Sequence, residues 1–329
     1  MTALGKLKTK LWRKPLKHLA AMARWGPVTY LKCGGWQHEM ALAASMLPST
    51  EELYLHPEYP GPGSQPNHAG AGRRHHDVWF MTGSTHWYQT AFCAWSFALH
   101  SGLVIRPIIL DDGTLLASHI DHLKRLFPEL VVHSVRECDE QFFSLFPAKK
   151  YPSLNFMRWK QLLFRKLTDI HAHSDERRLF FDSDMIFFRR PAQLETYMLS
   201  TSSTPIVQKD CWESYGYTRE LTERLCGARL PDAANIGIFS LNGSTIDWEK
   251  VENWLTILLE EQRTKYNVTQ CITAMLIAAQ SPIFLDANEY NVLPITPGKA
   301  RPLRVLEHYV SDSKPYYFSR AWKELVGAC

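Results

Sequence analysis

The sequence predicts an α/β fold: an open, mixed and mostly parallel sheet with helices on both faces. Three observations carry that expectation. From residue 78 onward, short apolar strands alternate with helical stretches. Residues 178–181, Arg-Leu-Phe-Phe, read as a buried strand that ends in Asp182-Ser183-Asp184. Thr82-Gly83 closes a second strand, so polar and small residues gather at strand ends, where open α/β sheets bind ligands.

Composition fits this class. The chain has 329 residues, 45% of them hydrophobic, enough for one large core or two small ones. A net charge of +4 gives no signature of a nucleic-acid partner. Seven cysteines are scattered without a C-x-x-C pair, which argues against a zinc cage or a disulfide framework and for a reducing, cytoplasmic setting. No apolar run is long enough to span a membrane.

Three regions follow in order. Residues 1–54 form a basic, helical extension. Its first 32 residues carry Lys6, Lys8, Lys10, Arg13, Lys14, Lys17, Arg24 and Lys32, and the first acid is Glu39. Leucines and Trp12 interleave at near-helical spacing, a pattern that suits an anionic membrane surface and a peripheral attachment. A short helix is expected over 36–47. Residues 55–76, broken by prolines and glycines, read as a linker. The folded core, residues 77–329, is expected after it.

Within that core, strands are expected at 78–82, 103–110, 130–135, 178–182, 205–208 and 235–242. Helices are expected at 86–100, 114–126, 155–170, from Pro191, after a Ser244-x-x-Asp247 cap, and at 269–280. Gly237 inside a strand signals close approach of a backbone or a ligand. In the 155–170 helix, Lys166 shares a face with Trp159, Leu163 and Ile170. A Lys on an apolar stripe calls for a partner, either an Asp or a bound phosphate. The last segment, from His308 to Pro315, reads as extended, with a His and a Lys six residues apart.

Two carboxylates set between aromatic runs need compensation. At a strand end, Asp182 and Asp184 can converge on one hard cation such as Mg²⁺ or Mn²⁺. Four chemistries compete for the acids. Residues 108–115 echo the D-x-D-G-T-L strand end of haloacid-dehalogenase-like phosphatases, but Leu110 stands where the nucleophilic Asp belongs, so no phospho-aspartate can form. No G-x-x-x-x-G-K-[ST] loop exists to cradle phosphates in the P-loop manner. A non-catalytic binding module is the third reading. The fourth is sugar transfer from a nucleotide-sugar, in which a divalent cation stabilises the departing diphosphate. His308 is the right type for a neutral ligand, and Lys314 and Lys166 are the right types for phosphate partners.

The chain resembles GT-A-type glycosyltransferases, and is most similar to glycosyltransferase family 8 and related bacterial enzymes. The family's D-x-D matches Asp182-Ser183-Asp184. Its H-x-x-G-x-x-K-P matches His308 to Pro315, and its N-[SA]-G strand matches Asn235-Ile236-Gly237. The matches come in the family's order and span residues 78–320. The resemblance implies a Rossmann-like nucleotide-binding half and a metal-dependent transferase moving a hexosyl or related sugar. It implies that Asp182, Asp184 and His308 hold Mn²⁺ or Mg²⁺, that Lys314 contacts the diphosphate, and that Ser183, Thr82 and Gly83 lie at the nucleotide. It further implies a UDP-sugar donor, a glycan or lipid-linked acceptor, and retention. In this fold an acid at a strand end, here Asp111, can contact base or ribose.

Two departures stand out. Ser311 replaces the family's Gly, and Thr269 precedes Gln270 where an acid often stands. A double-displacement mechanism would then lack its nucleophile, with Asp210 the carboxylate left to fill the gap. A front-face mechanism survives. The competing reading is a degenerate sugar-nucleotide-binding protein at a membrane surface.

Overall fold

The computed structural model describes residues 18–55, 74–294 and 304–327. Residues 1–17 of the expected membrane-surface stretch, 1–32, and most of the expected linker lie outside the described residues. Seven strands form one sheet, in the order β3-β2-β1-β4-β7-β6-β8. They are β1 His76–Thr82, β2 Ile105–Asp111, β3 Val131–His133, β4 Arg177–Phe181, β6 Ile206–Lys209, β7 Ala234–Asn242 and β8 Ile283–Phe284. Neighbours run parallel except on either side of β7. A second sheet places β10 Leu306–His308 between β5 Met185–Phe187 and β9 Tyr290–Val292.

Both faces of the large sheet are covered. Val78 and Phe80 of β1, Ile109 of β2 and Phe181 of β4 enter one core. Trp79, Ile108, Leu110 and Phe180, their neighbours in sequence, enter the other. Successive side chains of a strand point to opposite faces, so apolar runs without alternation are what a doubly covered sheet requires. The first core is roofed by α1 Pro27–Met46 and α3 Trp87–Ser101, the second by α7 Arg165–His171, α10 Trp248–Gln262 and α11 Val268–Ile277. Further helices are α2 Thr50–Leu55, α4 Ala117–Leu126, α5 Val135–Leu145, α6 Pro152–Lys160, α8 Ala192–Leu199 and α9 Arg219–Cys226.

Several expectations shift. The helix expected at 36–47 begins at Pro27, and its Met40 and Ala44 are buried in the same core as Phe92 and Val78. The packed body therefore includes residues ahead of the linker. The single helix at 155–170 is two helices, α6 and α7, split by an extended Gln161 and one 3-10 turn. Gln161 is held there because its side-chain amide donates to the Lys265 carbonyl at 2.5 Å. Trp159 consequently faces solvent while Ile170 is buried, so the two share no stripe. The strand at 130–135 stops at His133, because Ser134 caps α5. Asp247, not Ser244, caps α10 by accepting from Lys250 N at 3.0 Å. After β10 the chain is not extended: a 3-10 turn at Ser311–Ser313 leads into α12, Lys314–Tyr316.

Candidate metal and donor site

β4 ends at Phe181, and Asp182 N donates to the Gly237 carbonyl of β7 at 2.7 Å. The chain then turns and Asp184 leads into β5. There the antiparallel ladder sets His308 opposite Met185, and Tyr309 N donates to the Asp184 carbonyl at 2.8 Å. The register of the small sheet thus carries His308 to the aspartates across more than a hundred residues of sequence. Asp182, Asp184 and His308 offer ligand atoms that all lie within 4.8 Å of one another. His308 Nε2 is 3.2 Å from Asp184 Oδ1 and 3.9 Å from Asp182 Oδ2.

The imidazole is held on its other side. His308 Nδ1 donates to Gln208 Oε1 at 3.1 Å, and Gln208 in turn reaches the Tyr290 carbonyl at 3.4 Å. With the proton on Nδ1, the lone pair of Nε2 points to the carboxylates. That nitrogen is buried and makes no hydrogen bond. Gly237 makes room for the ring. A Cβ there would stand 2.3 Å from His308 Cε1 and 2.7 Å from Nδ1. The close approach expected at Gly237 is therefore made by this imidazole. Two carboxylates and one neutral imidazole nitrogen are a donor set for a hard divalent cation, and the orphaned Nε2 is the feature a cation would satisfy.

Both aspartates carry an ammonium partner. Lys166 of α7, 5% exposed, donates to Asp182 Oδ1, which supplies the partner expected for it. Lys314, at the start of α12, donates to Asp184 Oδ2. Burial alone would push the Asp184 carboxyl up, but the Lys314 ammonium beside it outweighs burial and holds it well below the usual carboxylate range. Ser183, between the two acids, turns away and bonds the Thr90 hydroxyl at 2.8 Å.

A second cluster adjoins the first through β7. Asp210, just past β6, accepts at Oδ2 from Asn235 Nδ2 at 2.9 Å and Gln270 Nε2 at 3.3 Å. Gln270 also donates to Ser214 Oγ and to the Ala234 carbonyl. Asn235 Oδ1 accepts from Gly237 N at 2.7 Å. Asp210, Asn235 and Gln270, expected separately from sequence, are thus one hydrogen-bonded group, and Asn235 and Gly237 connect it to Asp182. The Thr269 side chain is buried in α11.

The carboxyl ends of β1 and β2 lie side by side, with Thr82 paired to Asp111. The Thr82 hydroxyl is buried without a partner. The Asp112 carboxylate covers Gly83, where a Cβ would meet it at 2.0 Å. Asp111 Oδ1 accepts from the backbone N–H of Gly113, Thr114 and Leu115, so half of that carboxylate serves its own turn.

Sequence reasoning missed Gln208 and Thr90, and read Arg24 only as one of the basic residues of the N-terminal stretch. A polar residue closing the apolar run at 205–208 was the available signal for Gln208. Arg24 binds the turn between His308 and Lys314: its Nη1 donates to Ser311 Oγ at 2.8 Å, and its Nε pairs with Asp312 at 3.2 Å. Ser311, the residue in place of the expected Gly, has φ +49°, in the left-handed region. Its side chain is accommodated because it points out to Arg24.

No family model matches the chain, and no curated protein does. Solved structures do superpose on it. Mouse xyloside xylosyltransferase 1, in its apo form, aligns with a TM-score of 0.48 at 11% identity, over 71% of this chain and 97% of that one. The galactosyltransferase LgtC, with donor and acceptor sugar analogues, aligns with a TM-score of 0.48 at 15% identity, over 77% and 95%. The glycosyltransferase GlyE of Streptococcus pneumoniae TIGR4 aligns with a TM-score of 0.48 at 14% identity, over 77% and 62%.

Proposed function

We propose that the chain is a metal-dependent, GT-A-type glycosyltransferase. It moves a sugar from a nucleoside-diphosphate donor, a UDP-sugar, to a hydroxyl of a glycan or lipid-linked acceptor, with retention. The observation that carries this reading is the convergence of Asp182, Asp184 and the lone pair of His308 at one sheet edge, flanked by two ammonium groups.

Asp182, Asp184 and His308 would hold Mn²⁺ or Mg²⁺. Bound there, such a cation would supply charge neutralisation to the diphosphate as it leaves. Gln208 keeps the His308 proton on Nδ1, so Nε2 remains a ligand. Lys166 and Lys314 each carry three N–H donors, and one carboxylate oxygen occupies only one of them. The remaining donors would be free to meet phosphate oxygens and to offset charge that grows as the anomeric C–O bond breaks. Thr82 offers its unpartnered hydroxyl to the nucleoside, Gly83 beside it leaves room for the Asp112 carboxylate, and Asp111 offers its second oxygen to a ribose.

On the acceptor side, Asp210 Oδ2 already takes two amide N–H bonds. Those bonds spread its charge and lower its reactivity as a nucleophile. It suits the orientation of a sugar hydroxyl, with Asn235 and Gln270 locking its rotamer. Thr269 brings no carboxylate. The step that fits is front-face substitution. The acceptor oxygen bonds to the anomeric carbon, the bond to the diphosphate breaks on the same face, and the acceptor proton passes to the departing phosphate oxygen.

A panel of nucleotide-sugars tests the reading. With Mn²⁺ present, at least one UDP-sugar should release UDP, and a chelator should stop the release. NMR of the product should show the donor's anomeric configuration. Inverted product would contradict retention. No release from any nucleotide-sugar, with metal present, would contradict the transferase.

A further inference from the structure

We infer that the outward face of α1 docks on an anionic lipid bilayer. The helix is buried on one side through Cys33, Met40 and Ala44. On the opposite side, Val28, Leu31, Leu42 and Met46 recur at helical spacing and are 64%, 72%, 54% and 81% exposed. A helix that only roofs a core has no use for apolar residues on both sides, since the outer ones stay in water. Apolar side chains on opposite faces fit a helix between two apolar media, its own core and a second one.

Charge selects the second medium. The polar residues on the same face are Lys32, His38 and Glu39, and Glu39 is paired with Lys323 at 2.9 Å. Ahead of α1 the sequence carries seven further Lys and Arg before residue 25 and no acid. A protein partner would need a matching acidic patch beside an apolar one. A bilayer of anionic lipids offers negative headgroups directly above an apolar layer. No helix among the described residues is long and apolar enough to cross a membrane, so the contact is with the surface. Arg24 joins this segment to the Ser311–Ser313 turn ahead of Lys314, so the docked face and the donor site are tied together. A glycolipid or lipid-linked acceptor would then be met in the plane of the membrane.

Sedimentation with vesicles tests the inference on the full chain. Vesicles of phosphatidylcholine with phosphatidylglycerol should pull the protein down, and phosphatidylcholine alone should do so weakly. The variant Val28→Ser, Leu31→Ser, Leu42→Ser should bind anionic vesicles at least about tenfold more weakly. Leu31→Trp, which enlarges the apolar face, should bind more tightly. Thermal unfolding of each variant should match the parent, because the changed side chains are exposed. Equal binding of the triple variant, or no binding by the parent, would overturn the inference. So would concentration-dependent self-association that the triple variant abolishes while vesicles are ignored, since the face would then serve a second copy. Stabilisation by UDP and Mn²⁺, measured on the same samples, reports on the donor site separately, so failure of one reading leaves the other measurable.

Discussion

Gln208 decides which nitrogen of His308 faces the aspartates, and Gly237 decides whether the ring fits. Neither residue would touch a substrate, yet the donor set depends on both. Gly237→Ala places a methyl 2.3 Å from His308 Cε1, so the imidazole must leave its seat. The expected cost is about 1–3 kcal/mol of stability. Metal-dependent nucleotide binding should weaken by at least tenfold, about 1.4 kcal/mol, measured by calorimetry beside a chemical denaturation curve. Gln208→Leu removes the acceptor that fixes the Nδ1 proton and should lower metal affinity by about tenfold to a hundredfold with the fold retained. The aspartates were legible as two acids at a strand end, and His308 and Lys314 through the motif that the resemblance to GT-A-type glycosyltransferases supplies. Gln208 was not, because its direction depends on a register shift between Val207 and Gln208 that no local pattern announces.

At the scale of elements, strands read better than breaks. The apolar runs at 78–82, 178–181 and 235–242 became β1, β4 and β7 because both sheet faces are covered and each run must be apolar throughout. The split between α6 and α7 carries no Pro or Gly. It comes from a long-range bond of Gln161 to Lys265, which a window of sequence does not contain. By contrast α5 was announced by Ser134-x-x-Glu137, a capping box in which Ser134 N donates to Glu137 Oε2 at 2.7 Å, and that signal was passed over. The end of α7 has a pH consequence. Burial, with Arg178 adding to it, pushes the His171 imidazole down from its ordinary 6.5 to about 3. The unfolded chain takes up a proton below pH 6.5 and the folded one does not until about pH 3. Stability from the neutral ring is therefore whole above pH 6.5 and lost as pH falls toward 3. His171→Phe should flatten that acid limb by up to about 1.4 kcal/mol per pH unit. Denaturation curves at pH 7, 5 and 4 would show it, and parallel curves for both proteins would contradict it.

Across the whole molecule, the candidate metal ligands gather where the two sheets meet. β4 runs out of the large sheet, Asp182 and Asp184 sit in the crossing, and β5 enters the small sheet, where β10 returns His308. The arrangement explains why the sequence motifs lie so far apart and yet form one site: a single antiparallel register joins them. Asp182 and Asp184 each hold an ammonium partner, so the pocket proposed to take a metal–diphosphate is charge-balanced. The account stands on that pocket holding a divalent cation. The most direct measurement is calorimetric titration of UDP into the protein with Mn²⁺ and with chelator, for the parent and for Asp184→Asn. The account predicts UDP binding that needs Mn²⁺ in the parent and falls at least about tenfold in the variant, with thermal unfolding still cooperative. UDP binding of equal strength with and without Mn²⁺, or unchanged in Asp184→Asn, would contradict it.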